Sequence, residues 1–291
     1  MESYFPSPLP DESLYSLVTR YRATLPHSNR QIEEDLFGYQ DQLSLQSFLG
    51  QNGNIFFQRD LGLWRNKRAF IRAMTGYNLL SPFLTSSPQA RLYKCAQGYA
   101  GCVKTMLRPY VYFPNHNFIS LKFCPECIKH DIGRYGVAYW HRSHCVWFAN
   151  LCWKHQCLLV KVDNTHERRK KCSGRAWILS TEPLVQELMA GKIAFGININ
   201  HLCTAYSEAV PDKYFLGREA DLIQEKITDY YDAAMLRVMK IRTSFNGQHG
   251  RRWVYGVLKG SMPVHIPEHL FVIKELFGSI SALSQSLPKN S

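Results

Sequence analysis

Apolar positions in the first hundred residues recur with helical spacing and nowhere alternate as a strand would. Leu14, Leu17, Val18 and Tyr21 fall at i, i+3, i+4 and i+7, the single-face pattern of an amphipathic helix. Asp11 is a good capping residue for its start, and Arg20 and Arg22 close it where the helix dipole favours positive charge. Ahead of it Pro6, Pro8 and Pro10 hold the chain extended, since each fixes φ and removes a donor. A second short helix is predicted from Arg30 to Phe37, stopped by Gly38. A third runs from Asn66 to Met74 and ends at Gly76.

Between about 115 and 165 the helical period fades, and cysteines, histidines and aromatics crowd together. A basic run, Arg168-Arg169-Lys170-Lys171, follows as a predicted loop. Helix returns over 219–236, where Leu222, Ile223, Ile227, Tyr230, Tyr231 and Ala234 share one stripe. Pro267 then suits the first turn of a last helix. Leu270, Phe271, Ile273, Leu276 and Phe277 carry its apolar pattern to Gly278, and the polar tail from Ser284 to Ser291 is predicted to be loose.

With 291 residues, 45% of them hydrophobic, the chain can bury more than one core, and the length suggests about two domains. Its formal charge of +12 makes a polyanion the first partner to consider, because neutralised phosphates release counterions. The opening Met1-Glu2-Ser3-Tyr4-Phe5-Pro6 does not read as a secretory leader, and no stretch approaches the roughly 20 apolar residues that span a bilayer. A cytoplasmic location is therefore expected. There thiols stay reduced, so the nine cysteines read as metal ligands or buried thiols.

Cys124-Pro125-Glu126-Cys127 is a knuckle, two thiols on one tight turn able to face a single ion. After twenty-four residues Cys152-Trp153-Lys154-His155 repeats the spacing with an imidazole as the fourth donor. Four sulfur and nitrogen ligands close the shell of a structural Zn²⁺ and leave no open position for a reacting water. A ribbon of some forty residues rich in His and Arg has little core, so ligation supplies its folding energy. Competing donors are His130, His141, His144, Cys145, Cys157 and His166; a lone His or Cys in such a ribbon is more often packed or hydrogen-bonded. Cys95 and Cys102 are candidates to begin a second site, yet no spaced pair follows them, and Cys172 and Cys203 stand alone. One zinc is expected. The fold class is then mainly α with a small zinc-ribbon module, its N-terminal and C-terminal helical regions being helix-turn-helix-like. Four segments are expected: 1–115, 116–165, 166–214 and 215–291.

Three stretches stand out together. The first is Phe5-Pro6-Ser7-Pro8-Leu9-Pro10-Asp11-Glu12-Ser13-Leu14-Tyr15-Ser16-Leu17 with Arg20-Tyr21 after it. The second is Asn78-Leu79-Leu80-Ser81-Pro82-Phe83-Leu84. The third runs from Phe123-Cys124-Pro125-Glu126-Cys127 through Tyr135 to His144, including Tyr139-Trp140-His141-Arg142, and ends at Cys152-Trp153-Lys154-His155. Together they resemble the TniQ/TnsD family of transposon target-site selectors, and the resemblance covers roughly residues 4–160. Cys145-Val146-Trp147-Phe148 departs from the Gln-Leu-Pro-Gly that relatives often carry there. The chain is also shorter than TnsD-like members, which fits the compact TniQ-like members that read a target through an RNA-guided complex.

The resemblance implies a non-catalytic adaptor that recognises an insertion site, or a complex bound there, and recruits an AAA+ ATPase (TnsC-like) and through it the transposase. Its implied partners are that ATPase, DNA and a guide-RNA effector complex (Cascade-like), and a homodimer is compatible with it. Phe5, Leu9 and Leu14 are the candidate partner-binding residues of the N-terminal arm, which can equally close the core of their own domain. Arg168, Arg169, Lys170 and Lys171 are candidate phosphate contacts. So are Arg237, Lys240, Arg242, Arg251, Arg252 and Lys259, interleaved with Phe245, Trp253 and Tyr255, although a charge run is usually a solvated face. Two rivals come from other classes. A zinc-containing transcription regulator would use a helix-turn-helix within 215–280. A metal-dependent nuclease would use His141 as base and His144 as ligand, but no paired carboxylates flank them in the sequence.

Overall fold

The computed structural model describes residues 5–37, 62–97, 107, 121–162, 181–230, 253–260 and 264–288. It divides into two compact units, one of 1–79, 90–103 and 114–167, the other of 80–89, 104–113 and 168–291. The N-terminal helices and the Cys/His region therefore belong to one unit. The protein is mainly helical. In chain order the α-helices are α1 (Leu14–Ala23), α2 (Asn29–Phe37), α3 (Lys67–Met74), α4 (Tyr77–Leu80), α5 (Ser86–Ala96), α6 (Pro125–Tyr135), α7 (Arg142–Cys145), α8 (Glu182–Met189), α9 (Ile199–Ala209), α10 (Leu216–Tyr230), α11 (Trp253–Lys259), α12 (Ile266–Phe277) and α13 (Ile280–Gln285). Strands β1 (Lys122–Phe123) and β2 (Val160–Lys161) pair antiparallel, Lys122 opposite Lys161 and Phe123 opposite Val160. No helix among the described residues is long and apolar enough to cross a membrane.

Helix α1 buries Leu14, Leu17, Val18 and Tyr21 as its period requires, but Asp11 does not cap it. Ser13 does, its hydroxyl accepting the Ser16 N–H at 3.1 Å. Asp11 instead takes a left-handed backbone (φ 57°), and its carboxylate receives the N–H and hydroxyl of Ser143 at 3.2 and 2.5 Å. Arg20 turns back onto buried Glu12 at 2.8 Å. Helix α3 keeps its predicted length with Asn66 as the cap, while α4 and α5 carry no apolar stripe that the sequence made obvious.

In the second unit Pro267 lies in the first turn of α12 and Gly278 ends it at φ 72°, as the pattern predicts. Every residue from Ile266 to Ile273 is buried, so the first two turns of α12 lie in the core, and only its last turn, Lys274 to Phe277, is half-buried. Leu202, Tyr206, Val257, Leu258, Ile280 and Leu283 are also buried in that unit. Two expectations are corrected. The stripe of α10 is rotated: Ala220 and Ile227 are buried, while Leu222 and Tyr230 are exposed. Neighbouring α11 fixes the buried side, with Gln224 accepting the Val254 N–H at 3.3 Å. Tyr231 and Ala234 lie outside the described residues. The tail is not loose at Ser284, because Ser279 caps α13 and Leu283 and Leu287 are buried.

Candidate metal centre

The Cys/His region is less irregular than its sequence texture suggests, because the first knuckle starts a helix. Cys124 is the N-cap of α6, Pro125 occupies the first turn where no N–H is needed, and Gly136 closes the helix in the left-handed conformation. The Cys124 sulfur accepts the Cys127 N–H at 3.4 Å. Positive charge at a helix N-terminus favours a thiolate there. The second knuckle is a hairpin turn. Leu151 bridges to Leu158, the Cys152 N–H donates to the Cys157 carbonyl at 2.9 Å, and the Cys152 sulfur accepts the His155 N–H at 3.4 Å. Pairing of β1 with β2 brings the two knuckles face to face.

Cys124, Cys127, Cys152 and His155 place one donor atom each within 4.8 Å of all the others. The imidazole Nδ1 is 3.4 Å from the Cys124 sulfur, 3.3 Å from Cys127 and 3.7 Å from Cys152, and the Cys127 and Cys152 sulfurs are 3.7 Å apart. A tetrahedron with Zn–S near 2.3 Å and Zn–N near 2.0 Å has edges of about 3.8 Å between sulfurs and about 3.5 Å from sulfur to nitrogen. The donor set fits such an ion. The three cysteines are buried and His155 is half-buried. Burial pushes the Cys124 thiol up, and hydrogen bonding to Cys152, with burial, pushes Cys127 up. Cys152 is pulled down, first by Cys127 and then by His144. A divalent cation among these donors would favour all three cysteines as thiolates. The four donors, three of them buried, could therefore bind a metal.

The surrounding groups come from distant parts of the chain. His144 is buried and helps to pull the Cys152 thiol down, a position suited to outer-shell support of a metal ligand. His141 packs on the Tyr139 ring at 4.4 Å, and its Nε2 meets the buried Asp131 carboxylate at 2.8 Å. Residues 139–143 then zip onto the N-terminal arm. The Tyr139 hydroxyl donates to the Pro10 carbonyl at 3.0 Å, the Ser13 N–H to the Trp140 carbonyl at 2.9 Å, and the Arg142 N–H to the Asp11 carbonyl at 2.7 Å. The fully buried Arg142 guanidinium donates to the carbonyls of Arg72 and Thr75 at 3.1 and 3.2 Å and lies 3.6 Å from Asp11. Lys122 sends its ammonium inward to the carbonyls of Val146 and Ala149. Sequence reasoning missed Asp11, Asp131 and Lys122 as parts of this region. A lone acidic residue in a turn and an alternating basic residue carry no local signal of burial.

Phe5 is buried against the Tyr21 ring at 4.5 Å, Leu14 is buried on α1, and Leu9 is half-buried. Phe5 and Leu14 thus close the core of their unit and present little surface to a partner. Of the basic residues, Lys259 ends α11 exposed, its Nζ over the Tyr255 ring at 5.2 Å. Arg168, Arg169, Lys170, Lys171, Arg237, Lys240, Arg242, Arg251 and Arg252 lie outside the described residues, as do Cys102, Cys172 and His166.

The profile of the TniQ family matches residues 3–159, just over half of the 291-residue chain. The chain belongs to the TniQ family. No curated protein matches it. The TniQ match begins at the arm and ends four residues past His155, so it takes in the arm, the 139–143 block and the donor set, which are stitched together in a single unit.

Proposed function

We propose that this TniQ-family protein is a non-catalytic target-site selection adaptor of a DNA transposon, with one structural Zn²⁺ held by Cys124, Cys127, Cys152 and His155. The observation that carries the proposal is the family match across the whole arm-and-ribbon unit. A set of four protein donors supports the structural role of the metal, since a filled shell keeps a rigid scaffold and leaves no coordination position for substrate. The adaptor would work in the cytoplasm, where its thiols stay reduced. It would recognise the insertion site, or a guide-RNA complex bound there, and present the first unit to an AAA+ ATPase that brings the transposase. The basic runs 168–171 and 237–259 would supply phosphate contacts, whose strength falls steeply with salt.

The test is reconstitution from purified components. Tagged protein is mixed with the AAA+ ATPase encoded beside it, ATP and target DNA, with and without any guide-RNA complex from the same locus. Retention of the ATPase, and transposition that stops when this protein is omitted, are the expected results. An ATPase that never binds, alongside sequence-specific promoter binding, would instead make the protein a zinc-containing transcription regulator.

A further inference from the structure

Cys157 stands outside the four donors, two residues past His155, yet its sulfur lies 3.2 Å from that of Cys124. The two donor sulfurs that face each other across the centre, Cys127 and Cys152, are farther apart at 3.7 Å. The local fold explains the approach. Strand β1 leads directly into Cys124, the hairpin of the second knuckle returns through Cys157 into β2, and the register of β1 with β2 sets these two stretches side by side. Cys124 is buried, whereas Cys157 is half-buried and so within reach of solvent. With Leu159, Cys157 also packs against the cluster that the three cysteine donors form.

We infer that Cys157 is an oxidant-accessible thiol that resolves onto Cys124, so that a peroxide opens the metal centre by forming a Cys124–Cys157 disulfide. This rests on the reading of the donor set as a zinc site. The chemistry takes two steps. The Cys157 sulfur attacks a peroxide oxygen and the O–O bond breaks, giving Cys157 sulfenic acid and one water (an alcohol from an organic peroxide). The Cys124 sulfur then attacks the sulfenic sulfur. An S–S bond forms, the S–O bond breaks, and hydroxide leaves and takes up a proton as a second water. Two electrons pass from two thiols to one peroxide. Closing the sulfurs from 3.2 Å to the ~2.05 Å of a disulfide requires a shift of only about 1.2 Å. Cys124 in a disulfide has no thiolate to offer, leaving Cys127, Cys152 and His155 as an incomplete set. A dithiol reductant reverses the bond and restores the fourth donor. Cys145, a buried thiol next to Lys122, lacks this exposure.

The experiment uses the full-length purified protein, its zinc content measured before treatment. Hydrogen peroxide is added at one to five equivalents, zinc release is followed with a chromogenic chelator, and peptides are mapped by mass spectrometry without reduction. Wild type should release zinc in step with the appearance of a peptide joining Cys124 to Cys157, and dithiothreitol with added zinc should reverse both. Cys157→Ser should release zinc at least tenfold more slowly at the same dose. Equal release rates in the two proteins, or disulfides that join Cys127 to Cys152 instead, would overturn the inference. Untreated protein that carries no zinc would refute the metal reading by itself; the mapped peptide then decides the thiol pairing alone, its presence supporting the inference and its absence ending it.

Discussion

The two units of this chain are held together by different physics. The second is built around α12, buried on every side from Ile266 to Ile273, with Leu202, Tyr206, Val257 and Leu283 among the other apolar residues of its core. Its stability is spread over many dispersion contacts, none of them indispensable. The first unit has short helices and a sheet of two two-residue strands, and it ties its parts with a few buried or half-buried polar groups: Asp11 to Ser143, Arg142 to the carbonyls of Arg72 and Thr75, Lys122 to those of Val146 and Ala149. Its sulfur and imidazole donors sit where a core would otherwise be. A region that relies on a few polar links and an ion gains a defined shape from little hydrophobic area, and becomes sensitive to single changes.

The largest expected effect is loss of the ion. Cys127→Ser should abolish metal binding, and amide exchange should accelerate across 121–162 while 264–288 keeps its protection, if ligation supplies most of the ribbon's folding energy as proposed. Equal loss of protection in both regions would erase the contrast between the units. Next comes Arg142→Met, which strips two carbonyls and the Asp11 carboxylate of a buried cation. It should cost about 3 kcal/mol, read as a lower denaturation midpoint for the first unit only.

The second unit has its own weak point in His269, fully buried and pushed down to about 3 by burial. Its folded value lies below the unfolded one, so its contribution is complete above about pH 6.5 and is lost as pH falls toward 3. Between pH 6.5 and 5 the unit should lose about 2 kcal/mol, a slope that His269→Gln should flatten; an unchanged slope would assign it to other groups. The smallest effect is a gain. Gln156 holds a left-handed backbone (φ 53°) with an exposed side chain in the second knuckle. Gln156→Gly should relieve that strain and stabilise the ribbon by on the order of 0.5 kcal/mol, net of glycine's added unfolded-state entropy. A destabilised Gln156→Gly would mean that the side chain contributes more than its exposure implies.

Where chemistry and period coincide, the sequence was legible. The spaced Cys and His pairs pointed to the four donors that the fold gathers, and the helices around Leu14–Tyr21 and Pro267–Gly278 lie where their apolar spacing and caps put them. Other features were hidden for physical reasons. Cys-Pro-Glu-Cys reads as a turn, yet a sulfur can cap a helix as an oxygen does, so α6 begins inside the knuckle. Asp11 looked like an N-cap because capping and long-range ligation use the same carboxylate, and only tertiary structure brings Ser143 within reach. The stripe of α10 was broad enough to be buried on either side, and Leu222 and Tyr230 fell on the side left in water. The proximity of Cys157 to Cys124 depends on a two-residue strand register, which no periodicity announces.

The central claim is that a metal ion organises the first unit, and elemental analysis combined with chelation tests it most directly. Protein purified without added metal should contain close to one zinc per chain. Titration with a strong chelator should remove it while amide protection collapses over 121–162 and persists over 264–288, and added Zn²⁺ should restore both. A metal-free chain whose 121–162 segment stays as protected as before would contradict the account.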